Sequence, residues 1–130
     1  MPIHIKNKRD LGKYGEDLAL KFLINNGHEH VYSNFLIYGG EIDLITIKDN
    51  KLHFVEVKSV SRENVLDYNH ENYFPEENIH RLKLSRMLRT ALIFLDRYKL
   101  KHLEFQFDVV TVRFFKAGKS SIEYFENINL

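Results

Sequence analysis

Four ionisable side chains stand where apolar residues are expected. They are Glu41 and Asp43 in Gly40-Glu41-Ile42-Asp43-Leu44-Ile45, and Glu56 and Lys58 in Phe54-Val55-Glu56-Val57-Lys58. Asp49-Asn50 between the two runs suits the left-handed backbone of a tight hairpin, and a two- or four-residue loop pairs residues whose numbers sum to 99. In that register Asp43 faces Glu56 and Glu41 faces Lys58, on the side of the sheet shared with Ile45, Ile47, Leu52 and Phe54. Ile42 with Val57 and Leu44 with Val55 take the other side. Both faces are then apolar through the middle of the hairpin, the pattern of a central strand pair covered on both sides.

Two carboxylates with Cβ atoms roughly 5 Å apart in a partly dry site repel each other, and the pair destabilises the sheet unless a proton or a cation intervenes. A divalent ion is one such cation. Oxygen ligands without cysteine suit a hard ion, Mg2+ or Mn2+. Lys58 projects on the same face, roughly 7 Å further along the strand from Glu56. A metal, two carboxylates and an ammonium then converge on one point. The bland alternative, a buried ion-pair cluster, is a costly way to stabilise a fold.

The elements that must position this group are legible in order. Residues 1–9 are polar and basic and read as a flexible arm, with Asp10 as a helix cap. Leu11, Tyr14, Gly15, Leu18, Ala19, Phe22 and Leu23 recur at helical spacing up to Gly27, giving a helix over 11–26. Gly12 and Gly15 allow that helix to approach a strand closely, with Glu16 at the margin of the buried stripe. Glu16 is either a solvated first-turn acid or an accessory acid of the site. Residues 31–38 read as a strand turning at Gly39-Gly40 into the hairpin, and the His28-Glu29-His30 pair reads as polar loop histidines without a role.

Residues 59–74 form a long polar stretch, expected as a mobile loop, in which Ser59, Ser61 and Arg62 are candidate phosphate contacts. Pro75, Glu76 and Glu77 suit the first turn of a second helix running to about residue 97. Leu84, Leu88, Ala91, Leu92 and Leu95 are its apolar stripe. Lys83, Arg86, Arg89 and Arg97 fall on another face, which is either its solvated side or a surface that tracks nucleic-acid phosphates. Alternation from Leu103 to Phe115, and again through Ile122, Tyr124 and Phe125, adds two more strands.

Composition narrows the classes. The chain has 130 residues, is 44% hydrophobic and 13% aromatic, and suits one domain with a real core, 1–130. With 19 basic against 18 acidic residues, any nucleic-acid surface must arise from local segregation of charge. Cysteine is absent, which excludes disulfides and thiolate sites. No stretch approaches the ~20 apolar residues of a membrane span, and the charged start lacks the apolar run of an export signal, so a cytoplasmic protein without membrane contact is expected.

These residues together resemble a known group. Asp43 with Glu56-Val57-Lys58, 13 residues on, is similar to the acidic and E-x-K elements of the restriction-endonuclease-like PD-(D/E)xK nucleases. More closely, Gly12-x-x-Gly15-Glu16, Asn34-Phe35, Gly40 to Ile45, Phe54 to Lys58, Lys83, Ala91 and Phe107-Asp108-Val109-Val110 resemble the successive blocks of the YraN family, whose members are taken for endonucleases. The likeness covers most of residues 11–112, with Leu36 and Gln106 where arginine is common.

The resemblance implies an α/β fold, an αβββαβ core with a mixed central sheet flanked by helices. It also implies a Mg2+- or Mn2+-dependent hydrolase of nucleic acid, DNA in particular. Asp43 and Glu56 would be its metal ligands, Lys58 and Glu16 its further catalytic residues and Glu41 an accessory acid. Lys83, Arg86, Arg89, Ser59 and Arg62 would be its nucleic-acid contacts. A non-catalytic nucleic-acid-binding module on the same fold is the rival, a structural acidic cluster in a protein-interaction domain is a third reading, and a homodimer is left open.

Overall fold

The computed structural model describes residues 7–62, 81–116 and 118–128. Helix α1 (Lys8–Asn25) is followed by strands β1 (Glu29–Ile37), β2 (Gly40–Lys48) and β3 (Lys51–Arg62), helix α2 (Arg81–Arg97), and strands β4 (Glu104–Phe115) and β5 (Ser120–Phe125). The strands form one sheet in the order β1-β2-β3-β4-β5, antiparallel except for the parallel pair β3–β4. This is the expected αβββαβ core, with β5 as the extra edge strand.

Helix α1 begins three residues before the expected start. Asn7 is its cap, accepting from Asp10 N at 3.0 Å, so Asp10 sits inside the first turn and Lys8 and Arg9 are helical rather than part of an arm. At the other end Gly27, with φ +92°, closes a Schellman turn in which His28 N donates to Leu23 O at 3.0 Å and Gly27 N to Ile24 O at 3.1 Å.

Ala19 and Leu23 of α1 pack on Leu44, Val55, Val110 and Val112 on one face of the sheet. On the other face Ala91, Phe94 and Leu95 of α2 meet Phe35, Ile45, Leu52 and Phe54. The chain crosses from one side of β3 to β4 through α2, which is what a parallel neighbour requires. The central strands are consequently covered on both faces, as their unbroken apolar runs demand.

The hairpin register is as expected: Lys48 pairs with Lys51, and the ladder runs through Leu44 with Val55. Asp49 and Asn50 turn it with φ 51° and 63°. Two features differ. Residues 59–62 are not loop but the end of β3, paired with Val112 to Phe115 of β4, because the parallel partner supplies a ladder for them; residues 63–74 of the expected loop, and 75–80 of the expected helix, lie outside the described residues. The turn between β1 and β2 is Tyr38-Gly39, with Gly39 at φ +80°, while Gly40 opens β2 opposite Ile37. Gly40 is required there by packing, since a Cβ would lie 2.1 Å from Thr90 Oγ1 on α2.

Candidate active site

The β2–β3 ladder stops at Leu44–Val55, one step before Asp43 and Glu56. Regular alternation would put Ile42 and Ile45 on opposite faces, yet both belong to the core under α2. The alternation expected for Ile42 therefore breaks at Asp43, with the cause visible in both flanking strands. Asn34, opposite this point in β1, has φ 54°, and the regular pairs on either side are Ser33–Leu44 and Phe35–Ile42. A two-residue turn makes Lys48–Lys51, Thr46–His53 and Leu44–Val55 hydrogen-bonded pairs, so Val57 N–H is the next donor due to a β2 carbonyl. It donates instead to Asp43 Oδ2 at 2.8 Å.

The side chain of Asp43 thus stands in for backbone and is fixed by it. Its carboxyl also hydrogen-bonds the side chain of Glu56, which requires one of the two to hold a proton. Burial, then the bond to Glu56 and its charge, raise the Asp43 pKa to about 8, so Asp43 carries that proton at neutral pH. Burial pushes the Glu56 carboxyl up as well, but the bond from Asp43 and the Lys83 ammonium outweigh it and hold the group below its usual value.

Glu56 is 7% exposed, and its Oε2 is sealed from solvent. Lys83, from the first turns of α2, ion-pairs with that oxygen, and Lys58 Nζ lies 3.8 Å from it. The like-charge strain expected between Asp43 and Glu56 is therefore relieved here by a proton and an ammonium. Burial, aided by the neighbouring Lys83 charge, lowers the Lys58 pKa despite Glu56. Burial opposes the charge on Lys83 too, but its bond to Glu56 wins and raises its pKa.

Glu41 is exposed and makes no ion pair with Lys58 among the described residues, so the expected pairing of these two fails where the ladder ends. Glu16 approaches from α1. Its carboxyl is half-buried and close enough to feel the Asn34 side chain, Glu41 and Glu56, and burial raises its pKa. The same kink that places Asp43 thus presents Asn34 to Glu16. Asparagine's tolerance of left-handed backbone was the available signal for Asn34.

A cleft of about 520 Å³ opens onto the site, lined by the β1–β2 turn, Glu41, Asp43, Glu56, Lys83, Arg86 and Met87. Of the expected phosphate contacts, Lys83 and Arg86 line it, and Arg89 reaches Tyr38 O at 3.4 Å on its rim. Ser59 lies elsewhere: its hydroxyl is buried beneath α1 without a hydrogen-bond partner among the described residues, and a Cβ on Gly15 would lie 1.8 Å from it. The side chain of Arg62 lies outside the described residues. A larger groove of about 920 Å³ along α2 is mainly apolar and shares no lining residue with the cleft.

Asp43 and Glu56 offer the hard oxygens suited to a divalent ion, and the Lys83 ammonium on Glu56 shows that the buried carboxylate accepts a cation. Among the described residues no group of three or more His, Asp or Glu side chains is assembled for a metal. The two carboxylates would leave further positions of such an ion to be filled by other ligands.

One chain-wide comparison decides what kind of protein carries this arrangement: residues 15–112 match the model of the family described as "Uncharacterised protein family UPF0102". The chain belongs to the UPF0102 family. It is 37% identical over 111 residues to a UPF0102 protein of Clostridium perfringens, with 84% of each chain covered. A UPF0102 protein of Sulfurimonas denitrificans is 36% identical over 122 residues, covering 94% of this chain and 98% of that one. A third, from Caldicellulosiruptor saccharolyticus, is 38% identical over 106 residues, covering 82% and 84%. The UPF0102 match spans Glu16, Asp43, Glu56, Lys58 and Lys83.

A second polar cluster was not foreseen. On the α1 face of the sheet, Asp108 Oδ2 receives His53 Nδ1 at 2.7 Å and the Tyr124 hydroxyl at 2.5 Å, while Oδ1 accepts from Gln106 Nε2 at 2.7 Å and Asn127 N at 2.9 Å. His28, expected in a polar loop, is buried beside it, with Nδ1 2.7 Å from Thr46 Oγ1 and its ring 4.6 Å from that of His53. With Asp108 fully buried and fully bonded, the cluster is part of the core. No helix among the described residues is long and apolar enough to cross a membrane.

Proposed function

We propose that this UPF0102 protein is a Mg2+- or Mn2+-dependent nuclease of the PD-(D/E)xK type, of the kind called YraN, acting on nucleic acid and on DNA in particular. The observation that carries the reading is Asp43, locked onto the Val57 amide beside Glu56 and Lys58 at the mouth of a cleft with a basic wall. A divalent ion held by Asp43 and Glu56 would supply a Lewis acid for the phosphate and a lowered pKa for water.

The chain's own groups do the rest. Val57 N–H and the break in the ladder hold the Asp43 carboxylate at a set angle, so no reorganisation is needed when it loses its proton. Lys58, whose pKa burial lowers, holds a proton at Nζ that it gives up more readily than an exposed lysine, and its charge opposes the charge that develops on a phosphate. Lys83 and Arg86 on the cleft wall attract and orient the phosphate backbone. Glu16, beside Asn34, adds negative charge at the α1 side of the site. Nothing in this chemistry requires a membrane, and it fits a cytoplasmic setting.

The same ion pair favours a second reading. Lys83 on Glu56 is also the contact of a site kept for binding alone, with phosphates held by α2 and no cutting.

The deciding experiment combines calorimetry with cleavage of labelled single strands, duplexes and branched junctions. Mn2+ is expected to bind the wild type and not the Asp43→Ala, Glu56→Ala double variant. Mg2+-dependent cutting should fall by roughly 100-fold or more in Lys58→Met, which keeps the apolar stem. Equal Mn2+ affinity in wild type and double variant, or cutting unchanged by Lys58→Met, would sink the nuclease reading; nucleic-acid binding without cutting in every variant would establish the binding module.

A further inference from the structure

Tyr38 is 95% exposed and Leu36 70% exposed, the two most exposed large apolar residues described. A single exposed apolar side chain needs no explanation. These two sit together on the β1–β2 turn, the segment whose Leu36, Ile37, Gly39 and Gly40 form one wall of the carboxylate cleft.

The turn is also held stiff. Ile37 pairs with Gly40, Gly39 takes φ +80°, and Gly40 is seated against Thr90 of α2. Arg89 reaches the Tyr38 carbonyl at 3.4 Å. A pinned backbone that presents a bare aromatic ring to solvent is a platform, and the ordering entropy of binding to it is already spent.

What the platform faces is set by its neighbours. The cleft beside it mixes Glu41, Asp43 and Glu56 with Lys83 and Arg86, and beyond the Lys83–Glu56 ion pair Arg86 and Arg89 bring positive charge towards the turn, which complements phosphates. Basic side chains with an aromatic ring beside them are how proteins hold unpaired nucleotides, because every base has a π-face and duplex interiors leave none open.

Resting on the nuclease reading, we propose that Tyr38, backed by Leu36, is a nucleobase-stacking subsite. It holds an unpaired base beside the carboxylate cleft, which makes the substrate a single strand or a duplex with a frayed or branched flank.

The test uses the full chain in chelator and single-stranded DNA carrying 2-aminopurine, whose fluorescence is quenched on stacking. The wild type should bind and quench, and Tyr38→Phe should match it. Tyr38→Ala should lose roughly 5- to 150-fold in single-strand affinity, along with the quenching. Its salt slope should be unchanged, since no phosphate contact is lost, and blunt-duplex binding should be unaffected. Because the side chain is almost wholly exposed, the variant is expected to fold. Single-strand affinity unchanged in Tyr38→Ala overturns the subsite, while Mg2+-dependent cutting by the same preparation leaves the nuclease reading standing. Quenching intact in a wild type that never cuts supports the subsite and removes the nuclease reading. Absence of nucleic-acid binding by the wild type overturns the subsite. So does a dimer in sedimentation that Tyr38→Ala dissociates without change in DNA affinity, which would assign the turn to a second copy of the chain.

Discussion

The backbone N–H of Val57 donates to Asp43 Oδ2 at 2.8 Å, so a side chain of β2 accepts what a β2 carbonyl would have taken in a regular ladder. The arrangement ties the chemistry to the fold, because the acid cannot be moved without freeing a strand donor.

That linkage separates two substitutions. Asparagine at Asp43 retains an acceptor for Val57 and an N–H donor for Glu56, whereas alanine retains neither. Asp43→Ala is therefore expected to be less stable than Asp43→Asn by about 1–2 kcal/mol in chelator at neutral pH, measured by denaturant unfolding. Equal stabilities would mean that the Val57 N–H finds another partner at no cost.

The contact of α1 with β3 is expected to tolerate nothing larger than hydrogen at residue 15. A Cβ there would meet Ser59 Oγ at 1.8 Å and Ser59 Cβ at 3.0 Å. Gly15→Ala should cost about 1–3 kcal/mol, by overpacking that forces helix and strand apart. Adding Ser59→Gly removes both opposing atoms and should restore part of that loss. A double variant no more stable than Gly15→Ala alone would show that the penalty lies elsewhere.

Acid should weaken the fold through His28. Burial, and then the neighbouring His53, lower its pKa from 6.5 to about 4. Between those values the unfolded chain binds a proton that the folded chain refuses. The stability contributed by neutral His28 is thus complete above pH 6.5 and is lost as the pH falls towards 4. Asp43, with its pKa raised to about 8, acts in the opposite sense over the same range, so the test is the difference between two proteins: from pH 7 to pH 4 the stability of His28→Gln, followed by denaturant titration, should shift upward relative to that of the wild type. Parallel curves would remove His28 from the pH dependence.

Much of this was decided by local chemistry. Asp49-Asn50 accepts positive φ at both positions, which set the hairpin register and brought Asp43 towards Glu56 before any packing was considered. Apolar runs in β3 and β4 required cover on both faces, and two amphipathic helices were the elements available to supply it. Ionisable residues inside those runs marked the site for the same reason, since burying charge is expensive without a purpose.

What remained depended on groups far apart in sequence. That Lys83 lands on Glu56, and that Asp43 keeps a proton, follows from how α2 crosses the sheet, a distance periodicity cannot measure. Ser59 was read as part of a solvated loop because its neighbours are polar, yet β4 extends the ladder over it and Gly15 lets α1 seal it in. His28 was read from its polar neighbours, but the Schellman turn at Gly27 directs its ring beneath the sheet, where Thr46, His53 and Asp108 form a satisfied polar core. Spacing along a chain reports which residues can share a face; which oxygen faces which ammonium is settled only when separate elements pack together.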